Sequence, residues 1–163
     1  MGHLTETEIQ DKHVQFSCTT KYLSSFIDSV DKLRDEGKLV FTDSKIYTKV
    51  ADPANVGMCV SQIKGQALNS LDVVGTDEIT IGAKFEKIQD CISGISSTSD
   101  LEVTWPVSPS SGANFMRINA IDEDLQFEIS TLDPSTVPEM PNADPLSHST
   151  QIKVDGSELK GTV

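Results

Sequence analysis

The stretch His13-Val14-Gln15-Phe16-Ser17-Cys18-Thr19-Thr20-Lys21-Tyr22-Leu23-Ser24-Ser25-Phe26-Ile27-Asp28-Ser29-Val30-Asp31-Lys32-Leu33 changes its period part-way along. Over His13–Thr19 the apolar residues Val14, Phe16 and Cys18 alternate with polar ones, the period of a strand with one buried face. From Lys21 to Leu33 they recur every three or four positions, at Tyr22, Leu23, Phe26, Ile27, Val30 and Leu33. That spacing predicts a helix with one apolar stripe. The opposite face carries Lys21, Ser24, Ser25, Asp28, Asp31 and Lys32. Thr20 stands where an N-cap belongs, and Gly37 lies shortly past the end. A one-sided helix fed directly by a strand implies a flat layer for it to pack on.

Outward from this stretch the chain reads mostly as strands. Lys38–Thr42 and Lys45–Ala51 form a hairpin around Asp43-Ser44. Val56–Ile63 follows, then a polar loop and a short apolar run at Glu78–Ile81. A second helix is predicted over Lys84–Ile95, with Phe85, Ile88, Cys91, Ile92 and Ile95 as its stripe. The strands Asp100–Trp105, Phe115–Ile121 and Leu125–Leu132 come next, separated by turns at 108–114 and at Asp122-Glu123-Asp124. Strand, helix, three strands therefore occurs twice. The expected class is α+β: a duplicated unit whose two helices cover one face of an antiparallel sheet. A doubly wound parallel sheet would need a helix after nearly every strand.

Beyond Leu132 the pattern lapses. Asp133 to Pro145 contains four prolines and no periodicity, the composition of an extended surface linker. Then Gln151-Ile152-Lys153-Val154-Asp155-Gly156-Ser157-Glu158-Leu159-Lys160 lines up with Gln15–Ser24, as if the first strand and helix began again. The implied division is a tail at 1–12, a domain at 13–133, a connector at 134–149 and the start of an incomplete second domain at 150–163. The expectation is a gene product that continues past Val163, or a fragment.

Composition bounds the function. The 163 residues carry 25 Asp+Glu against 13 Lys+Arg, a net charge of −12. Such a chain does not grip nucleic acid over its whole surface, because phosphate contact needs clustered Lys and Arg. Scarce arginine (Arg34 and Arg117) with abundant Asp, Ser and Thr suits a high-salt cytoplasm. No apolar run approaches the ~20 residues of a membrane helix, and Met1–Glu6 has no basic-then-apolar leader pattern. Three cysteines argue against a disulfide framework and for a reducing compartment.

No catalytic constellation emerges. Cys18, Cys59, Cys91, His3, His13 and His148 are scattered without metal-ligand spacing, and Cys18 and Cys91 fall in apolar phase, as core cysteines do. Gly94 and Gly112 are isolated, so no phosphate loop is present. The expectation is no enzyme, no cofactor and no metal.

One segment is informative: Ala51-Asp52-Pro53-Ala54-Asn55-Val56-Gly57-Met58, preceded by Lys45–Val50. With Ile81-Gly82 ahead of the second helix, Phe127-Glu128-Ile129-Ser130-Thr131-Leu132-Asp133 at the domain end, and the Pro-rich linker after it, the segment resembles the first domain of the proliferating cell nuclear antigen (PCNA) family of sliding clamps, most nearly its haloarchaeal members. The resemblance runs from about Val14 to Val163. It implies a DNA-clamp domain that takes part in a ring around duplex DNA, with helices toward the DNA, acting as a polymerase processivity factor that tethers replication and repair proteins.

By position, the resemblance puts Ala51, Asn55, Val56 and Met58 at the pocket for PCNA-interacting peptides, with Val137, Met140 and Pro141 of the connector as the other wall. It puts Lys21, Lys32, Lys84 and Lys87 on the DNA-facing helices, where Asp31 and Asp90 replace family lysines. Phe127 and Ile129 fall on the strand that pairs with a neighbouring subunit in a homo-oligomeric ring. Implied partners are duplex DNA, held topologically, DNA polymerase and other proteins with such peptides, and a separate clamp loader; the implied location is the cytoplasm, or the nucleus only for a eukaryotic source. The alternative is a single-domain adaptor or decoy that binds clamp partners without encircling DNA.

Overall fold

The computed structural model describes residues 12–107, 114–140 and 149–160. His13–Thr19 forms β1 and Thr20–Asp28 forms α1. β2 (Glu36–Thr42), β3 (Lys45–Ala51) and β4 (Met58–Lys64) follow, then a 3-10 turn at Gly65–Ala67 and β5 (Ser70–Val74). The second unit runs β6 (Glu78–Lys84), α2 (Phe85–Ser93), β7 (Asp100–Val107), β8 (Phe115–Ala120) and β9 (Leu125–Ser130). A 3-10 turn at Pro134–Thr136 and a short exposed helix, α3 (Gly156–Lys160), complete the described elements.

The architecture is α+β with antiparallel strands, as expected, but the strands sort into two sheets rather than one. Their orders are β5-β1-β7-β8-β9 and β4-β3-β2-β6. The opening strand of each unit crosses into the sheet of the other: β1 pairs with β7 and β6 pairs with β2. This exchange makes the two units one inseparable body. Period-two alternation shows which face of a strand is buried, not which strand lies beside it, so the split was not readable from the sequence.

A second correction concerns the polar loop, which contains β5. Its residues alternate between exposed and half-buried, with only Leu71 and Val73 packed against the core, so the hydrophobic signal is weak. β5 is nonetheless laddered onto β1 from His13↔Val74 to Ser17↔Ser70. The first unit therefore has four strands after its helix and the second has three.

The core lies between the sheets and beneath the helices. Phe16 of β1 and Phe41 of β2 bring the sheets together, with ring centroids 5.9 Å apart. Leu23, Phe26 and Ile27 of α1 and Phe85, Ile88 and Ile92 of α2 are buried against them.

The helices are shorter than their apolar stripes. α1 ends at Asp28, and the chain continues in turns closed by Val30 N–H to Ile27 O and Leu33 N–H to Val30 O, both 3.0 Å. Val30 stays buried and Leu33 partly buried, so the stripe outlives the helix. Tyr22 departs from it and is exposed. Thr19, not Thr20, is the N-cap residue; the Thr20 hydroxyl instead donates to Ser99 O at 2.8 Å in the interior.

The Asp122-Glu123-Asp124 turn joins β8 to β9, and its Glu123 carboxylate accepts from Ser96 N–H at 2.8 Å and from the Ser99 hydroxyl. Those bonds hold its pKa below the ordinary 4.5, first through Ser99 and then Ser96. Most of the 108–114 turn lies outside the described residues. Residues 151–155 form no strand, while α3 begins at Gly156, the position aligned with Thr20 at the start of α1.

Candidate partner and nucleic-acid faces

Two helices side by side make the first candidate face. Gln89 Nε2 donates to Ser24 Oγ at 3.4 Å across the pair. Lys21, Lys32, Lys84 and Lys87 are all exposed. Two of them sit off the helices proper: Lys32 lies in the turns after α1, and Lys84 closes β6. Lys32 Nζ is 3.5 Å from Asp28, an exposed helical-turn pair, and Lys21 Nζ is 5.2 Å from the Tyr22 ring centroid. Against these four lysines stand Asp28, Asp31, Glu86 and Asp90 on the same segments, four charges of each sign. The helical side is therefore neutral in a chain of net charge −12, and the excess negative charge lies elsewhere. Neutrality avoids repelling a polyanion without gripping it.

The 52–57 loop makes the second candidate face. Asp52 Oδ1 accepts from the N–H groups of Val56 and Gly57, each at 2.7 Å, and Oδ2 accepts from Ala54 N–H at 3.3 Å. Backbone bonds from Asn55 N–H to Asp52 O and from Asp52 N–H to Gly57 O, both 2.9 Å, close the turn. A carboxylate with three backbone donors is stabilised in its charged form, so Asp52 titrates below its ordinary 3.8, with Gly57 the largest cause. Asn55 takes φ 55°, the left-handed conformation that asparagine tolerates.

The loop holds Val56 almost fully in solvent, at 86% exposure, with Met58 at 43% and Val60 at 57%. Ala51, opposite Met58 in the β3–β4 ladder, is buried at 5%, and its carbonyl accepts from Arg34 Nε at 3.0 Å. The expected pocket residues therefore separate. Ala51 and Met140 border one recess with Arg34, Pro138 and Glu139; Pro53 and Pro138 border another; Val56 and Met58 lie outside both. Val137 is buried at 4%, so its side chain anchors the connector instead of facing solvent. Lys38 Nζ fixes the connector further through Glu139 at 3.1 Å. Pro141 lies outside the described residues.

The role of Asp52 was missed in the sequence, although Asp-Pro-Ala-Asn-Val-Gly carries the signal: an aspartate ahead of a proline, an asparagine and a glycine is the composition of a side-chain-closed turn.

β9 makes the third face. It pairs with β8 and lies at an edge of the five-stranded sheet. Phe127 is half-buried and Ile129 is buried, both toward the core. A strand added at this edge would meet backbone groups and the outward row, which includes Glu128, itself 2.8 Å from Arg117. On the other face its core-side row would run beside Phe127 and Ile129.

Chemistry-bearing groups are sparse. Cys18 is fully buried and its thiol is pushed up to about 11, mainly by that burial. Cys59 and Cys91 are free and half-buried. Among the described residues no group of three His, Cys, Asp or Glu is placed to hold a metal, and no helix is long and apolar enough to cross a membrane.

This arrangement has known counterparts. The fold superimposes on the structure of Archaeoglobus fulgidus PCNA bound by the C-terminal region of FEN-1, with a TM-score of 0.71 and 19% identity, over 82% of this chain and 51% of that one. In sequence the chain is 27% identical over 137 residues to the DNA polymerase sliding clamp of Methanospirillum hungatei, covering 84% of this chain and 52% of the clamp. The chain is similar in sequence and in fold to the sliding clamps. The clamp of Natronomonas pharaonis is 24% identical over 141 residues, covering 86% of this chain and 53% of the clamp. Identity to this haloarchaeal clamp is thus no higher than to the methanogen one. No family model matches the chain. The chain spans about half the length of the curated clamps it matches.

Proposed function

We propose that residues 13–133 are the first domain of a DNA polymerase sliding clamp, that 134–149 are its interdomain connector, and that 150–163 open a second domain. In this reading a closed ring of such domains encloses duplex DNA and tethers polymerase and repair proteins to it. The ring assembles from copies of the protein, through edges such as β9. It is a non-enzymatic processivity factor of the cytoplasm, placed on DNA by a separate clamp loader. The observation that carries the reading is the neutral pair of helices, with Lys21, Lys32, Lys84 and Lys87 exposed, on a strongly acidic clamp fold. Enclosure supplies retention, so the helical side need only tolerate phosphate, and exposed lysines in salt contribute little beyond that.

Partner proteins dock by an apolar peptide at Val56 and Met58, with Asn55 at the rim and the connector, through Met140, as the other wall. Titrating the protein with the FEN-1 C-terminal region, followed by amide NMR, tests this. Shifts confined to residues 52–60 and 137–141, abolished by Val56→Glu with Met58→Glu, are expected. Shifts centred on the helices, or none, contradict it.

A second reading, an adaptor that joins clamp partners without encircling DNA, draws on Asp28, Asp31 and Asp90 beside the helical lysines. Mixing with a full-length clamp separates the two: an adaptor enters or caps the foreign ring, whereas a clamp subunit assembles with its own kind.

A further inference from the structure

The outer face of the four-stranded sheet, away from the core, collects positive charge in a chain that is otherwise acidic. In the β3–β4 ladder Lys45 stands opposite Lys64, Tyr47 opposite Gln62, and Lys49 opposite Val60. The Lys45 and Lys49 ammonium groups flank the Tyr47 ring at 5.0 and 5.8 Å from its centroid. Among the described residues none of these three lysines has a carboxylate within ion-pair distance. Glu78, on β6 two strands away, is the carboxylate whose charge is felt at Tyr47, and it pairs with none of them. Like charges directly opposite in a ladder repel, so the fold gains nothing from this arrangement by itself. At the Lys45–Lys64 end an open cleft is lined by both lysines with Ser44, Gln62 and Gln66, which adds neutral donors to the two cations. At the other end the same ladder reaches the exposed Val60 and Met58.

We propose that this strip receives an acidic segment of a partner polypeptide, lying extended along β4, whose apolar anchor sits at Val56 and Met58 and whose carboxylates reach Lys49, Lys45 and Lys64. The proposal rests on the peptide-docking reading given above and adds the chemistry of the partner. From Met58 to Lys64 the strand spans about 20 Å, enough for some six residues of extended peptide. A polypeptide fits better than a nucleic acid because the strip passes continuously from apolar to cationic and offers one aromatic ring, where single-strand binders use several for successive bases.

Fluorescence anisotropy with two labelled synthetic peptides decides the matter. Each has paired phenylalanine anchors followed by a run of glutamates in one and of glutamines in the other. The glutamate peptide is expected to bind about tenfold more tightly at low salt, the sum of a few exposed ion pairs. That advantage should shrink as salt rises, and it should vanish when Lys45→Gln, Lys49→Gln and Lys64→Gln are combined. Equal binding of the two peptides to the unaltered protein overturns the acidic-partner proposal and leaves the apolar site standing. Absence of binding by either overturns both. Tighter binding of a labelled oligothymidylate than of the glutamate peptide overturns the proposal in favour of a single-stranded nucleic acid.

Discussion

Asp52 shows how one side chain can present others. Its carboxylate gathers the N–H groups of Ala54, Val56 and Gly57, so the loop stands away from the sheet and Val56 and Met58 face solvent. Because the folded loop lowers the pKa of Asp52 below its ordinary 3.8, the ordering it supplies is fully present above that pH and is lost as pH falls through the lower, folded value. The Val56 and Gly57 amide resonances are expected to move together with a midpoint below 3.8, and Asp52→Ala to leave both amides exchange-exposed at neutral pH. A midpoint at or above 3.8 contradicts the bonding pattern. At this scale the sequence was only partly legible. It marked Ala51, Val56 and Met58 together through a resemblance, but burial of Ala51 and exposure of Val56 depend on where β3 stops and β4 starts. A turn closed by a side chain shifts that boundary by two residues, from the expected Val56 to Met58.

Among elements, the stripes of α1 and α2 were legible because a buried helical face leaves a strong three-to-four spacing, and it persists in Val30 and Ile95 where the helices themselves have ended. β5 was not, because a five-residue edge strand whose only core-side apolar residues, Leu71 and Val73, are half-buried leaves a faint signature. The contact between β6 and the segment after β9 was also hidden. Gly82 N–H donates to Leu132 O at 3.1 Å and Leu132 N–H to Gly82 O at 2.9 Å, joining β6 of the four-stranded sheet to the segment that follows β9 of the five-stranded one. A Cβ on Gly82 would lie 2.8 Å from both the Leu132 carbonyl oxygen and its Cβ. Since backbone must shift to admit it, Gly82→Ala is expected to destabilise the protein by about 1–3 kcal/mol. The loss should appear as a lower urea midpoint with unchanged slope. An unaltered midpoint would show that the segment after β9 is not docked there.

At the scale of the whole molecule, charge is distributed rather than merely plentiful. The helical side is neutral, Lys45, Lys49 and Lys64 on the outer face of the β4-β3-β2-β6 sheet have no ion-pair partner among the described residues, and the remainder is more acidic than the net −12 of the whole chain. The acidic total and the duplicated order of elements were plain in the sequence. The partition of charge was not, because it depends on which strands share a sheet. The proposed enclosure carries one decisive property: the protein should be held by the topology of its DNA and not by affinity for it. The most direct measurement co-elutes the protein, as its gene encodes it and loaded by the proposed clamp loader, with nicked circular duplex on a sizing column in molar salt. A single-site nuclease then linearises the DNA. Co-elution with the circle and release on cutting is the predicted result; retention on the linear form, or no retention on the circle, would contradict it.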